Sequence, residues 1–379
     1  MTQPGACVLT REGLGSMVDA FRADGRTVIG PAVRDGVIVH DEISSIEDLP
    51  AGWTEEAEAG SYRLEPTGTD ELFAFSSPSQ SWKRFLYPER TLLIRASRGA
   101  SGMAITQPEP DVPSLVFLGI RPCDLAALDV LDRVFDDPAA TDPTYTARRA
   151  DLVTVAVACG HPGNTCFCAS MDTGPSPRGG YDLALTELGW DGPTEYLVDV
   201  NTERGAEVME RIEHRQATAA DRAAAEEVHR NATARMGRHL DGSHPPQAAK
   251  APDHPRWDDV ADRCLACGNC TMVCPTCFCS TTVDSTDLPG GEAELWRVWD
   301  SCFTQDFSYL HGGSVRSSIK ARYRQWLLHK LVTWHDQFDT SGCVGCGRCI
   351  TWCPVGIDLT EEIRAIAESP PTARREEPT

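Results

Sequence analysis

The sequence predicts an α/β N-terminal domain followed by a smaller, mostly α-helical C-terminal domain that is built around cysteine motifs. Short apolar runs alternate with helical patterns over the first part of the chain, as they do in α/β folds. Eleven of the 16 cysteines fall instead between residues 264 and 353. A segment rich in Pro, Gly and His separates the two parts, and it has the composition of a linker.

We therefore expect four regions in the 379-residue chain. They are an α/β domain with cysteine-rich loops (1–240), a linker (241–257), a helical domain (258–367) and a disordered tail (368–379). The tail prediction rests on the terminal sequence "SPPTARREEPT", which is polar and rich in proline and charge.

Several elements of the N-terminal domain can be predicted from their residue patterns. Residues 27–43 contain two β-branched runs around an Asp-Gly pair, which indicates a hairpin. Residues 114–120 and 151–158 are short apolar runs of the kind found in buried strands, and residues 121–135 have helical spacing of leucine and valine. Residues 201–236 form a long helical stretch that is one helix or two.

The formal net charge of −21 comes from 35 basic and 56 acidic residues. Such a surface repels phosphate backbones and anionic lipids, so we expect neither nucleic acid nor a membrane as a partner. The chain has no apolar run of about 18 residues, and its N-terminus lacks the pattern of a signal peptide. We therefore expect a cytoplasmic protein, in which cysteines hold metal more often than they form disulfides.

Two motifs in the C-terminal domain have the cysteine spacing of ferredoxins that carry two 4Fe–4S clusters. "CLACGNCTMVCP" begins at residue 264 and "CVGCGRCITWCP" at residue 343, and both follow C-x2-C-x2-C-x3-C-P. The first three cysteines of each motif wrap one cubane, and the fourth reaches the other cluster. The predicted ligands are Cys264, Cys267, Cys270 and Cys353 for cluster 1, and Cys343, Cys346, Cys349 and Cys274 for cluster 2. The sequence thus predicts a mostly α-helical dicluster ferredoxin domain.

Structural zinc is the alternative for these motifs, because C-x2-C pairs also bind zinc. A zinc site explains neither the third closely spaced cysteine nor the proline that follows the fourth. Residues 275–342 separate the two motifs, whereas small ferredoxins have a short hairpin there. The long insertion resembles the ferredoxin modules of multi-subunit reductases, which relay electrons inside a complex.

Four cysteines of the N-terminal domain are candidate ligands of a third iron–sulfur cluster. Cys123 follows the first buried strand and opens a helix, where the thiolate form is favoured. Cys159 ends the second strand, and Cys166 and Cys168 follow in "CGHPGNTCFC". If the strands are parallel neighbours, all four thiols gather at their carboxyl ends. A pair of buried structural thiols and a redox-active thiol site are the alternatives.

The second "TCFC" sequence, which contains Cys277 and Cys279, follows a ferredoxin motif that is already complete. Cys302 is the remaining uncommitted cysteine nearby, and a fourth centre would need a further ligand such as His311. A packed lining around the clusters is one interpretation of these thiols. A site that handles thiols or persulfides is the other.

Residues 314–338 predict one amphipathic helix with an apolar face and a basic face. The basic residues are Arg316, Lys320, Arg322, Arg324 and Lys330. They form either a solvated surface or a positive charge that offsets a nearby anionic metal centre.

The chain resembles the β subunit of cytoplasmic NiFe hydrogenases of the sulfhydrogenase type, and the related iron–sulfur subunit of anaerobic sulfite reductase is similar to it. The resembling motifs are "PSQSWKRFLYPER" (78–90), "GIRPCDLAALDVLD" (119–132), "CGHPGNTCFCASMDTGP" (159–175), "CLACGNCTMVCPTCFCS" (264–280), "WDSCF" (299–303), "RYRQWLLHK" (322–330) and "CVGCGRCITWCPVGIDL" (343–359). Residues 176–255 contain no diagnostic motif.

The resemblance implies an electron-transfer subunit with two 4Fe–4S clusters and a third iron–sulfur cluster. The implied partners are the small and large NiFe hydrogenase subunits and a flavin- and NAD(P)-binding subunit, or a sirohaem sulfite reductase subunit. The catalytic chemistry then belongs to the partners. A third function remains open, in which the chain reduces sulfur or polysulfide at its own cysteine-rich loops.

Overall fold

The computed structural model describes residues 5–99, 102–188 and 194–369. The strands are β1 (Cys7–Thr10), β2 (Thr27–Arg34), β3 (Val37–Glu42), β4 (Trp53–Glu58), β5 (Ser61–Pro66), β6 (Arg90–Gly99), β7 (Gly102–Thr106), β8 (Leu115–Ile120), β9 (Val153–Val157), β10 (Leu183–Leu188), β11 (Glu195–Val200), β12 (Arg215–Gln216), β13 (Ser280–Thr286), β14 (Glu292–Trp299), β15 (Tyr309–Leu310) and β16 (Gly313–Ser314).

The helices are α1 (Arg11–Ala23), α2 (Lys83–Leu86), α3 (Pro122–Phe135), α4 (Pro143–Asp151), α5 (Glu203–Met209), α6 (Ala219–Ala234), α7 (His244–Ala249), α8 (Arg256–Arg263), α9 (Asn269–Met272), α10 (Ile319–Leu328), α11 (Trp334–Phe338), α12 (Arg348–Thr351) and α13 (Leu359–Glu368). The tail expected at 368–379 lies outside the described residues, except that Glu368 ends α13 and Ser369 follows it.

An eight-stranded sheet forms the N-terminal part, in the order β12-β1-β11-β10-β9-β8-β2-β3. Its four central strands, β10, β9, β8 and β2, are parallel, and antiparallel strands flank them. The predicted hairpin over residues 27–43 is confirmed, with Asp35 and Gly36 at φ angles of 50° and 76° between β2 and β3. These left-handed angles are those of a tight hairpin turn.

Both faces of this sheet are covered by helices, which confirms the α/β prediction. Alternate residues of β8 point to opposite faces, so that Val116 packs with Met17 of α1, whereas Phe117 packs with Leu128 of α3 and Tyr145 of α4. Each fully buried side chain of this size contributes roughly 1.5–3 kcal/mol relative to an exposed one. The carboxyl ends of β8 and β9 are therefore held in a rigid core.

A second sheet, in the order β13-β14-β6-β7, combines strands from the two halves of the chain. Strand β14 pairs antiparallel with β13 and with β6, from Glu292 opposite Ser97 to Val298 opposite Arg90. The C-terminal part thus contains strands among its helices, and the prediction of a mostly α-helical domain is not confirmed. The pairing between β6 and β14 depends on a distant segment, so the local helical patterns could not indicate it.

The helix expected over residues 314–338 is shorter and is interrupted. Ser314 lies in strand β16, and α10 begins only after Ser318, whose hydroxyl accepts a hydrogen bond from the Ala321 amide at 3.1 Å. A turn of π-helix over His329–Thr333 then separates α10 from α11. Such a turn rotates the residues that follow it, and π-bulges are frequent at functional sites.

Residues 201–236 contain two helices, α5 and α6, with the short strand β12 between them. The segment expected as a linker contains α7, which packs against α13, and the first residues of α8. Arg256 and Arg263 of α8 donate to the buried carboxylate of Glu362 on α13, at 2.5 and 2.6 Å. These contacts fix the C-terminal helix on the cysteine-rich part.

A buried ion pair joins the two halves of the chain. The Arg348 guanidinium donates to both carboxylate oxygens of Asp124, at 2.8 and 2.7 Å, and its Nε donates to the Pro78 carbonyl at 2.7 Å. The side chains of Arg348 and Asp124 are each 1% exposed. Asp124 lies in the first turn of α3, and Arg348 lies inside the second ferredoxin motif.

We predict that Asp124→Asn lowers the free energy of unfolding by about 3–5 kcal/mol, because it leaves the Arg348 charge buried without a counter-charge. Chemical denaturation under anaerobic conditions, followed by circular dichroism, measures the change. The matched control is Asp41→Asn, which breaks a pair with Arg34 whose side chains are 50% and 45% exposed. This control should change stability by less than about 1 kcal/mol. Equal effects of the two substitutions would contradict the prediction.

Candidate iron–sulfur centres

The two ferredoxin motifs have the same backbone conformation. In each motif the residues just before and just after the second cysteine have positive φ angles. They are Ala266 (50°) and Gly268 (75°) in the first loop, and Gly345 (66°) and Gly347 (76°) in the second. These left-handed residues fold each loop tightly, and the short helices α9 and α12 follow directly. The repeat of this conformation shows that the matching sequences form matching cradles.

The structure brings the four cysteines predicted for cluster 1 to one pocket. Cys264, Cys267 and Cys270 line it together with Cys353 from the second motif. Backbone amides approach two of the sulfurs, with the Ala266 nitrogen 3.4 Å from Cys264 Sγ and the Ile357 nitrogen 3.3 Å from Cys353 Sγ. The fourth cysteine of the second motif thus lies in one pocket with the first three of the first motif, and Cys349 lines the same pocket.

Two buried donors beside this pocket fit a cluster with sulfide acceptors. Tyr323 and Trp326 line the pocket, and within the described part of the chain Tyr323 Oη and Trp326 Nε1 have no hydrogen-bond partner. A buried donor without a partner costs free energy. Sulfur atoms of a bound cluster would accept from such donors, and hydrogen bonds of this kind shift its reduction potential.

The cysteines predicted for cluster 2 are also close together. Burial raises the pKa of Cys343 to about 12, and Cys349 interacts electrostatically with Cys343, Cys346 and Cys274. Metal binding deprotonates cysteine thiols, and four cysteines that lie this close together suit an iron–sulfur cluster.

A buried lysine lies beside the cluster 2 set. Lys330 donates to Thr276 Oγ1 at 2.8 Å and to the Gly342 carbonyl at 3.1 Å. Burial disfavours the Cys274 thiolate, but hydrogen bonding with Cys277 and the Lys330 charge together hold the pKa of Cys274 well below its usual value. Within the predicted basic face, Lys330 is thus a counter-charge for thiolates, whereas Lys320 pairs with Asp258 at the surface.

The structure also brings the third set of cysteines together. Strands β8 and β9 are parallel neighbours, and Cys123 and Cys159 follow their carboxyl ends. Cys166 and Cys168 lie beside them, since Cys168 interacts electrostatically with Cys166, Cys159 and Cys123. All four residues are buried, with exposed fractions of 6–8%.

Glycines leave room for the sulfurs of this third set. A Cβ atom on Gly174 would lie 2.9 Å from Cys168 Sγ, and one on Gly163 would lie 3.7 Å from Cys166 Sγ. The set therefore fits a bound cluster. Burial and then the Asp124 charge raise the pKa of the Cys123 thiol well above its usual value, which opposes the effect expected from its position at the start of a helix.

The segment that contains Cys166 and Cys168 lies directly on the second ferredoxin loop. The Phe167 amide donates to the Gly345 carbonyl at 2.8 Å, and the hydroxyls of Thr165 and Thr351 are 2.7 Å apart. A Cβ atom on Gly345 would come within 2.7 Å of the Cys168 backbone. No residue pattern indicates this contact, because the two segments are far apart in the chain.

Cys277, Cys279 and Cys302 line a separate cavity of about 540 Å³. Lys330 also borders this cavity, and Lys83 donates to the Cys277 carbonyl at 2.7 Å. His311 is exposed between β15 and β16 and does not line the cavity. The sequence analysis assigned no role to Lys83 or Arg348, although both lie within quoted motifs, because the partners of a buried cation come from distant segments of the chain.

Comparison with known proteins finds a family model and a named relative to which the chain is similar. Residues 263–357 match the family model of the 4Fe–4S dicluster domain. Over 361 residues the chain is 27% identical to the β subunit of sulfhydrogenase 2 from Pyrococcus furiosus, and the match covers 90% of this chain and 92% of that protein. No solved structure gives a significant match.

These findings confirm the resemblance to a hydrogenase β subunit and support an iron–sulfur electron-transfer role. Within the described ranges, no three His, Cys, Asp or Glu side chains are arranged to hold a single metal ion. No helix among the described residues is long and apolar enough to cross a membrane.

We predict that Gly345→Ala removes about four irons per chain, the content of one 4Fe–4S cluster. The new Cβ would clash with the Cys168 backbone at 2.7 Å, and alanine is strained at a φ of 66°. Iron and acid-labile sulfide analysis measures the loss. The matched control is Ala266→Gly, at the equivalent position of the first loop, which relieves strain and should leave the iron content unchanged. Full iron content in Gly345→Ala would show that the loop tolerates the side chain.

Proposed function

We propose that this chain is the iron–sulfur electron-transfer subunit of a cytoplasmic, multi-subunit NiFe hydrogenase. It relays electrons between the small and large hydrogenase subunits and a flavin- and NAD(P)-binding subunit. The observation that carries the proposal is the pair of matching cysteine loops, in a chain that is similar along 90% of its length to a sulfhydrogenase β subunit. The bond-breaking steps belong to the partner subunits.

The proposed ligands follow the crossed pattern of the two motifs. Cluster 1 takes Cys264, Cys267 and Cys270 from the first motif and Cys353 from the second. Cluster 2 takes the other four cysteines, Cys343, Cys346, Cys349 and Cys274. The position of Cys353 in the same pocket as the first three cysteines supports this assignment.

Iron–sulfur clusters supply one-electron transfer when they are bound. The residues of this chain hold the ligands at fixed positions and adjust the charge around them. Lys330 and Arg348 place buried positive charge beside the thiolates of the second set. Tyr323 and Trp326 offer hydrogen-bond donors at the first pocket.

We propose a third cluster on Cys123, Cys159, Cys166 and Cys168. Four buried thiols from three segments meet at the carboxyl edge of the parallel strands, where α/β sheets bind ligands. The glycines around Cys166 and Cys168 leave space that ordinary residues would fill.

The positions of the three sets suggest the order of electron transfer. Cys346 of the second set interacts with Cys166 and Cys168 of the third, and Cys349 of the second set also lines the first pocket. The second set therefore lies between the other two. We propose a linear relay in which cluster 2 is the middle position.

Cluster 1 is then the end of the relay nearest the surface. Cys267 is exposed, and the apolar side chains of Leu265 and Val355 beside it are 62% and 36% exposed. We propose that this apolar rim of the first pocket contacts another subunit of the complex, because tunnelling requires a short distance between redox centres.

The second candidate is the iron–sulfur subunit of an anaerobic sulfite reductase, in which the catalytic partner is a sirohaem protein. The matched relative is named a sulfhydrogenase subunit, which favours the hydrogenase. The cavity with three thiols favours an additional reductive activity of the chain itself, for which the pair Cys279 and Cys302 is the candidate.

We predict about 12 irons per chain after anaerobic preparation, since three 4Fe–4S clusters hold four each. Cys159→Ser should lower the content to about eight and leave the electron paramagnetic resonance of the ferredoxin clusters unchanged. Cys7→Ala is the control, because Cys7 lies in strand β1 within the apolar core and should not affect iron binding. About eight irons in the unaltered chain would rule out the third cluster.

We predict that the tagged chain, purified from its native host, brings down nickel and flavin together with its iron. Sirohaem in place of nickel would overturn the hydrogenase proposal in favour of the sulfite reductase. Leu265→Glu should lower the nickel or flavin recovered at least tenfold, because it puts a charge into the proposed apolar contact. Leu288→Glu is the matched control, because Leu288 is fully exposed in the turn between β13 and β14.

A further inference from the structure

The cavity beside the second ferredoxin loop has the size of a small-molecule site. Its volume is about 540 Å³, and binding pockets for small ligands measure roughly 300–1,000 Å³. Phe278, Trp326 and Trp334 form apolar walls, while Arg316 and Lys330 contribute positive charge. Such a lining suits a small molecule that has both an apolar part and a negative charge.

Three thiols line this cavity, and two of them are accessible. Cys279 and Cys302 are partly exposed, whereas Cys277 is buried and interacts with the proposed cluster ligand Cys274. The proposed relay uses none of these three thiols as ligands. Their presence in one cavity therefore calls for a separate chemical role.

Backbone pairing holds Cys279 and Cys302 close to each other. Ser280 pairs with Trp299 at the end of the β13–β14 hairpin, and the Asp300 amide donates to the Cys279 carbonyl at 2.9 Å. Both residues line the same cavity, and Cys302 influences the ionisation of Cys279. Two neighbouring thiols on segments fixed by a sheet are placed for the formation and cleavage of a disulfide.

The surroundings of the pair favour a nucleophilic thiolate. Hydrogen bonding from Cys302 lowers the pKa of Cys279 to about 7, with a further contribution from the charges of Lys330 and Lys83 and against the effect of burial. A thiol whose pKa lies near the ambient pH is close to the optimum for thiol–disulfide exchange.

We propose that Cys279 and Cys302 form a redox-active dithiol that reduces small anionic disulfides bound in this cavity. The site rests on the proposed function, because the relay supplies the electrons that regenerate the dithiol. Lys330 connects the cavity with the proposed cluster 2 site. It lines the cavity, and its ammonium group donates a hydrogen bond to Thr276 Oγ1 near the proposed ligand Cys274.

The proposed reaction has two exchange steps. The Cys279 thiolate attacks one sulfur of the substrate disulfide, forms a mixed disulfide and releases the first thiolate. Cys302 then attacks Cys279 Sγ, so that the Cys279–Cys302 disulfide forms, the second thiolate leaves and the Cys302 proton passes to a product thiolate. Two electrons from the relay and one proton from solvent return the disulfide to the thiol–thiolate pair.

The test is anaerobic treatment of the full chain with 3,3′-dithiodipropionate, a small anionic disulfide, followed by alkylation, digestion and mass spectrometry. The unaltered chain should yield a peptide pair linked through Cys279 and Cys302. Cys302→Ser should accumulate a stable mercaptopropionate adduct on Cys279, and Cys279→Ser should leave Cys302 unmodified. An adduct on Cys277, or no modification of Cys279 at full iron content, would overturn the proposal.

Matched control variants test whether the reaction is specific to Cys279 and Cys302 and whether Arg316 binds the anionic probe. Cys277→Ser, in the same cavity, should still form the Cys279–Cys302 link. Arg316→Ala should slow the reaction with the anionic probe at least tenfold and leave the reaction with neutral 2-hydroxyethyl disulfide unchanged. Equal slowing of the two probes would refute a binding role for the charge.

Failure of the relay has a different result from failure of the dithiol. A chain that lacks its clusters should still perform one stoichiometric exchange with the probe but should not turn over with a reductant. A chain with inactive dithiol should keep its full iron content and still pass electrons to a viologen dye.

Discussion

The buried pair of Arg348 and Asp124 is the interaction on which the arrangement of the proposed centres depends. Arg348 belongs to the second ferredoxin loop, and Asp124 follows Cys123 at the start of α3, so one ion pair connects two proposed ligand sets. Both side chains are 1% exposed, and removal of either partner would leave a charge in a medium of low dielectric constant. The pair therefore fixes the position of the ferredoxin loop on the sheet.

Close backbone contacts complete the same junction. Gly345 and Gly347 lie against the backbone of residues 165–168, where a side chain on either glycine would approach to within 2.7 Å. The second sheet adds a further connection, because β14 from the C-terminal half pairs with β6 from the N-terminal half. The two predicted domains thus share an interface in which the proposed second and third centres lie next to each other.

The two "TCFC" sequences have different surroundings. Cys166 and Cys168 meet Cys123 and Cys159 at the carboxyl edge of the parallel strands, where four thiols share one buried space. Cys277 and Cys279 instead border a cavity with Cys302, and the buried cations Lys83 and Lys330 lie beside them. In a chain with a net charge of −21, these buried cations are concentrated where thiolates are proposed.

Residue patterns alone were enough to identify the local features, which are the ferredoxin spacing, the buried strands β8 and β9, and the hairpin around Asp35 and Gly36. Each depends on residues that are near each other in the chain. The folded chain was needed to reveal the pairing of β14 with β6, the Arg348–Asp124 contact and the position of Cys279 and Cys302 in one cavity. These contacts join distant segments, and their energies depend on burial and distance, which residue patterns do not encode.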